Sequence, residues 1–171
     1  YELATELVAA YHDAKRNRAR LDFDDLIPAA LTLVQTHSDI AAQLRDTYEY
    51  FFIDEFQDTD PRSAELFWRL SGEPTDGSWE SWPARGASRF VVGDPKQAIY
   101  RFRGADVATY QLLKGHFRND PHAEEVWISS NFRSDEAIIT ATNDIFRAPL
   151  DAEDQPGYAA LSPVQPRGNT P

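Results

Sequence analysis

The chain has 171 residues, 42% of them apolar, enough for one domain with a substantial core, and no run is long enough to cross a membrane. It has no cysteine, which excludes disulfides, thiolate metal sites and cysteine nucleophiles; with no charged-then-apolar leader at the start, the expected setting is the reducing cytoplasm. A net charge of -11 argues against a simple electrostatic nucleic-acid binder, so any such contact must come from a local patch.

Residues 1 to 20 read as a helix, with Leu3, Leu7, Ala10, Tyr11 and Ala14 at helical spacing and a basic end from Lys15 to Arg20. That end is either a DNA-facing edge or a solvated face favoured by the helix dipole. A second helix begins after Asp22, a good N-cap, with Phe23, Leu26, Ile27, Ala30, Leu31 and Val34 as its apolar stripe. Pro28 falls inside that stripe and is expected to kink the helix or shift its start. Asp22, Asp24 and Asp25 are explained most cheaply by capping. Ser38 is expected to cap a short helix carrying Ile40, Ala41 and Leu44.

Tyr50 to Ile53 is a short apolar run that stops at two adjacent carboxylates, Asp54 and Glu55. It reads as a strand buried on both faces in a parallel sheet, and open α/β sheets bind ligands beyond the carboxyl ends of such strands. One acid there can hold a metal while its neighbour faces another atom, as nucleotide hydrolysis requires. Pro61 suits the first turn of the next helix, which carries Ala64, Leu66, Phe67 and Leu70 and ends at Gly72. Residues 73 to 88 read as an exposed loop in which Trp79 and Trp82 have no assigned role.

Arg89 to Val92 is a second strand, ending at Gly93 and Asp94. The stretch between Arg89 and Arg103 holds Arg89, Lys96, Arg101 and Arg103 against Asp94 alone, a local sum of +3 and the candidate basic patch. Gln97 can bond a terminal phosphate oxygen or the attacking water, and Tyr100 and Phe102 offer ring faces to unstacked bases. A helix follows from Asp106 to Arg118. Residues 125 to 129 form a third strand candidate. Ser134 is expected to cap a last helix that buries Ile138, Ile139, Ala141 and Ile145. From Ala148 onward the proline-rich composition suggests a flexible tail.

Four of these stretches together resemble one family. Asp54-Glu55-Phe56-Gln57-Asp58-Thr59 resembles motif II (Walker B) of UvrD/Rep-like superfamily 1 DNA helicases, and Asp22-Phe23-Asp24-Asp25-Leu26 resembles the segment upstream of it. Gly93 to Ala105 resembles motif III, with Ala98 in place of a frequent Ser and Phe102 where Trp is common. Asn131-Phe132-Arg133-Ser134 resembles motif IV, and Asn143 and Phe146 continue the pattern. The wording lies closest to the exonuclease V β-subunit (RecB/AddA-like) branch.

The resemblance implies a partial P-loop NTPase, a RecA-like three-layer α/β fold of parallel strands and flanking helices with a helical N-terminal part. It also implies ATP and Mg²⁺ as cofactors. Asp54 would hold the metal, Glu55 would act as general base, and Gln97 and Arg133 would read the γ-phosphate. Gln57, Phe132 and Arg103 would contribute to cofactor binding, with Phe132 packing on adenine and Arg103 tying the two sites together. Tyr100, Phe102 and Arg101 would contact DNA.

The implied division is a helical segment 1–47, part of a first RecA-like domain 48–122, the start of a second 123–147, and the tail 148–171. No Gly-x-x-x-x-Gly-Lys-Ser/Thr run occurs in the sequence. The chain is therefore expected to be an internal piece, inactive alone, whose partners are single- and double-stranded DNA, the remaining helicase domains and other subunits of a helicase-nuclease complex, with no membrane. Two other readings stay open: a non-hydrolysing DNA- or partner-binding module, and a Mg²⁺-dependent nuclease built on Asp22, Asp24 and Asp54.

Overall fold

A computed structural model describes residues 2–86, 88–152 and 157–164, the side chain of Arg103 excepted. The order of elements is α1 (Glu2–Asn17), α2 (Phe23–Thr36), α3 (Ser38–Thr47), β1 (Phe51–Ile53), α4 (Pro61–Ser71), β2 (Arg89–Val91), α5 (Val107–Asn119), β3 (Ser130–Asn131), α6 (Glu136–Leu150) and β4 (Ser162–Pro163). This is the expected α/β class, helix-rich with short parallel sheets. The chain divides into two units, 1–116 and 117–171.

In the first unit, the start of α2 is fixed by a reciprocal capping box. Asp22 accepts from the Asp25 backbone N–H, and the Asp25 carboxylate accepts from that of Asp22. The helix continues through Pro28, which has no N–H to give to the Asp24 carbonyl, so one bond of the ladder is missing there. Its Leu31 and Val34 form a small core with Ala41 of α3, against which Leu44, Leu66 and Leu70 pack. Of the rest of the expected stripe, Ile27 and Ala30 are half-buried, while Leu26 is exposed and Phe23 is 90% exposed. No residue of α1 is buried; Lys15 holds that helix to α2 by bonds of 2.8 and 2.7 Å to Asp22 and Asp25. α3 begins at Ser38 itself, with His37 at the N-cap and no side-chain cap, so Ser38 does not cap it.

Pro61 opens α4 as expected, and Asp60 caps it by accepting from the N–H groups of Arg62 and Ser63. The helix buries Ala64, Phe67, Trp68 and Ser71. Phe67 meets Phe51 of β1 edge-on, with ring centroids 6.0 Å apart. In the following loop, Trp82 lies under the Arg69 guanidinium at 5.3 Å and donates from Nε1 to the Gly77 carbonyl at 3.3 Å. That accounts for one of the two loop tryptophans.

β1 and β2 run parallel, pairing Phe51 with Arg89, Phe52 with Phe90 and Ile53 with Val91. The expectation that β1 is buried on both faces is corrected. Phe51 and Ile53 face α4 and are half-buried, but alternation sends Phe52 and Phe90 to the other side, where they are 72% and 58% exposed. Their rings contact each other at 5.6 Å, and no described helix of this unit covers that face.

In the second unit, the strand expected at 125–129 is instead at Ser130–Asn131, which pairs in parallel with Ser162–Pro163. Val126, Trp127 and Ile128 are exposed, without a strand beside them among the described residues. Part of the proline-rich stretch is thus paired rather than a free tail: α6 runs through Pro149 to Leu150, and Asn143 exchanges bonds of 2.8 and 3.0 Å with the backbone of Leu161. Residues 153–156 and 165–171 of that stretch lie outside the described residues. Asp135, not Ser134, occupies the N-cap of α6, and only Ile139 of its expected face is buried.

Candidate functional site

Parallel pairing in register puts the carboxyl ends of β1 and β2 side by side, and the candidate residues leave from those ends. After Ile53 the chain turns at once. The Val92 N–H donates to the Ile53 carbonyl at 2.8 Å, and Phe56 N–H donates back to the Val92 carbonyl at 2.9 Å. Between them Glu55 takes the left-handed backbone conformation, φ 52° and ψ 44°. For a residue with a Cβ that costs roughly 1–2 kcal/mol, so the flanking bonds must hold it. The outcome is that Asp54 and Glu55 both stand exposed at the strand end.

Asp54 accepts from the Glu55 N–H through Oδ1 at 2.9 Å, and its Oδ2 has no hydrogen bond among the described residues. A single available carboxylate oxygen suits Mg²⁺, which takes one or two carboxylates and completes its shell with water and phosphate oxygens. No cluster of three or more His, Cys, Asp or Glu side chains able to hold a metal occurs among the described residues. Asp22 is engaged in the capping box and with Lys15, and a nuclease centre on Asp22, Asp24 and Asp54 is not assembled.

Beyond β2, a 3₁₀ turn at Pro95–Gln97 is capped by Asp94, which accepts from the Lys96 N–H. The Asp94 carboxylate also pairs with Lys96 Nζ at 2.8 Å and accepts from Gln97 Nε2 at 3.0 Å. Burial by itself would push the Asp94 carboxyl up, but these hydrogen bonds outweigh it and hold it below the usual carboxylate range. Gln97 is exposed, held by Asp94 beside the two acids' strand end.

One residue ties the two ends together. Gln57 is 2% exposed; its Nε2 donates to Glu55 Oε2 at 2.7 Å and its Oε1 accepts from the Asp94 N–H at 2.9 Å. Both ends of the amide are used within the protein and the side chain faces inward, where the sequence reading has Gln57 contributing to cofactor binding. Sequence reasoning misses Asp94 as the partner of Gln97, although an acid directly after the strand is the signal that could have found it.

Tyr100 and Phe102 follow on the next turn, with ring centroids 5.9 Å apart, and Phe102 is 80% exposed. Arg101, between them, is exposed too. The side chain of Arg103 lies outside the described residues. The candidate basic patch loses one member. Arg89 stacks on Trp68 at 3.9 Å and donates to Ser71 Oγ and to the carbonyls of Trp82 and Trp68, and so braces α4 against the loop. Lys96 is paired with Asp94. Phe132 and Arg133 belong to the second unit, both exposed; Asn131 Oδ1 accepts from the N–H groups of Arg133 and Ser134 and shapes that turn.

The site is thus a parallel α/β strand pair with two acids at one tip and a capped Asp–Gln turn at the next. Residues 1–118 match the UvrD/REP helicase N-terminal domain, and the chain belongs to that family. Among its relatives, it is 35% identical over 140 residues to the RecBCD enzyme subunit RecB of Escherichia coli strain K12 (81% of this chain, 11% of that protein). It is 32% identical over 146 residues to RecB of Chlamydia muridarum (85% and 13%). It is also 33% identical over 156 residues to an ATP-dependent helicase/nuclease subunit of Levilactobacillus brevis (88% and 12%). The chain thus spans about an eighth or less of the curated relatives it matches. No described helix is long and apolar enough to cross a membrane.

Proposed function

We propose that these residues are the motif II to motif IV segment of an ATP-dependent DNA helicase, or of the helicase subunit of a helicase-nuclease complex, that translocates on single-stranded DNA and unwinds duplexes in recombination and repair. The observation that carries this reading is the in-register pairing of β1 and β2, which sets Asp54 and Glu55 beside the Gly93–Gln97 turn. Family membership supports the ATP-dependent class.

In this reading Asp54 holds Mg²⁺ through its available oxygen. The ion, when bound, supplies neutralisation of phosphate charge. Glu55 accepts the proton of the attacking water, and Gln97 and Arg133 contact the terminal phosphate. Phe132 packs on the adenine. Tyr100 and Phe102 stack on bases while Arg101 meets phosphates, so that closure around ATP is felt by the strand. Residues 48–122 belong to the first RecA-like domain and 123–147 open the second. The phosphate-cradling loop comes from elsewhere in the protein, and the isolated chain does not turn over ATP.

The alternative, a binding module without hydrolysis, is separated by one assay. The intact protein containing this chain is tested for ATP hydrolysis with and without single-stranded DNA, and for displacement of a labelled strand. DNA-stimulated hydrolysis with strand displacement is expected. DNA binding with neither activity would favour the binding module.

A further inference from the structure

Gln57 is a buried side chain to which that chemistry gives no task. It lies 37 residues from Asp94 in sequence, yet its amide spans the gap between the Glu55 carboxylate and the Asp94 backbone. The orientation of the amide is dictated by its neighbours: a carboxylate oxygen demands the N–H end and a backbone N–H demands the carbonyl end. The space is shaped for it. A Cβ added at Gly93 would lie 3.0 Å from Gln57 Oε1 and 3.3 Å from its backbone N, so glycine permits the close approach of the second strand's end. From Asp94 the connection goes on, since its Oδ2 accepts from Gln97 Nε2.

We propose that Gln57 is a positioning residue that locks the Glu55 carboxylate to the Gly93–Gln97 turn, so that the proton acceptor and the phosphate-contacting glutamine move as one piece. The assignment rests on the reading of Glu55 as the base. Gln57 touches no substrate; it acts through Glu55. Without the amide donor, Glu55 keeps its left-handed backbone but its carboxylate is free to swing away from the water. Misplacement on the order of 1 Å lowers turnover by up to about a hundred-fold without weakening nucleotide binding.

The test uses the intact protein carrying Gln57→Glu, Glu55→Gln, or both. Gln57→Glu keeps the acceptor for the Asp94 N–H but sets a carboxylate against Glu55. It is expected to lower thermal stability and to reduce kcat for ATP by roughly ten- to a hundred-fold with KM unchanged. The double variant again pairs an amide with a carboxylate across the same gap, and is expected to regain the lost stability while remaining inactive. Gln57→Glu turning over at the wild-type rate beside an inert Glu55→Gln would overturn the assignment. So would a double variant no more stable than, or no better folded than, Gln57→Glu. An active Glu55→Gln would instead remove the base, while the stability swap would still report on the lock.

Discussion

The Arg89 guanidinium lies 3.9 Å from the centre of the Trp68 ring and reaches past it to the carbonyls of Trp68 and Trp82. An arginine with those partners is structural, whereas Arg101 on the neighbouring turn is exposed. The two therefore separate in a salt titration of single-stranded DNA binding. Arg101→Ala is expected to weaken binding and to reduce the slope against log salt by about 1, as loss of one phosphate contact does. Arg89→Ala is expected to leave the slope unchanged and to lower the melting temperature. A reduced slope for Arg89→Ala would place it at the DNA.

Tyr100 and Phe102 make a different prediction, because stacking is insensitive to salt. Phe102→Ala is expected to weaken single-stranded DNA binding by about 1–3 kcal/mol while the KM for ATP without DNA stays unchanged. Fluorescence anisotropy with a labelled oligonucleotide, at two salt concentrations, measures it. Equal affinity in both proteins would remove the stacking role.

The link between α1 and α2 titrates. Hydrogen bonds from Lys15 and then Tyr11 lower the Asp22 carboxyl to about 2, and Asp22 and Asp25 in turn raise Lys15 above its ordinary value. A depressed acid contributes stability that is complete above its unfolded value, near 3.8, and lost as pH falls through 2. A raised lysine contributes below its unfolded value of 10.5, and that contribution is lost as pH rises further. Hydrogen exchange of α1 amides in the intact protein, corrected for intrinsic rates, is expected to show protection that is flat between those limits and falls at the acid end. Asp22→Asn is expected to lower protection at neutral pH part of the way to the acid value, because Asp25 still pairs with Lys15. A profile unchanged by Asp22→Asn would show that other contacts hold α1.

What is legible in the sequence is what local chemistry decides. The Asp22 cap, Pro61 at the start of α4 and the acids at the end of β1 each depend on a few neighbouring residues, and each is found where expected. Burial is decided by partners. Phe52, Leu3, Leu7, Ile138 and Ile145 keep their periodic spacing but remain exposed, because no described residue packs over those faces. The displaced third strand has the same cause: its partner, Ser162–Pro163, lies in a proline-rich stretch that composition marks as unstructured. Gln57 reads as ligand-facing because its motif suggests a ligand; only the fold reveals that Asp94, far along the chain, claims its carbonyl. Arg89 reads as patch charge because the ring it stacks on is 21 residues away.

The hydrolytic part of the proposed function depends on Glu55 as the proton acceptor. The decisive measurement is single-turnover ATP hydrolysis by the intact protein with Glu55→Gln, alongside the affinity for a fluorescent ATP analogue. The expected result is unchanged nucleotide affinity with the rate reduced by about 10²- to 10⁴-fold, the usual contribution of a general base. A variant that binds and hydrolyses ATP at the wild-type rate would contradict it.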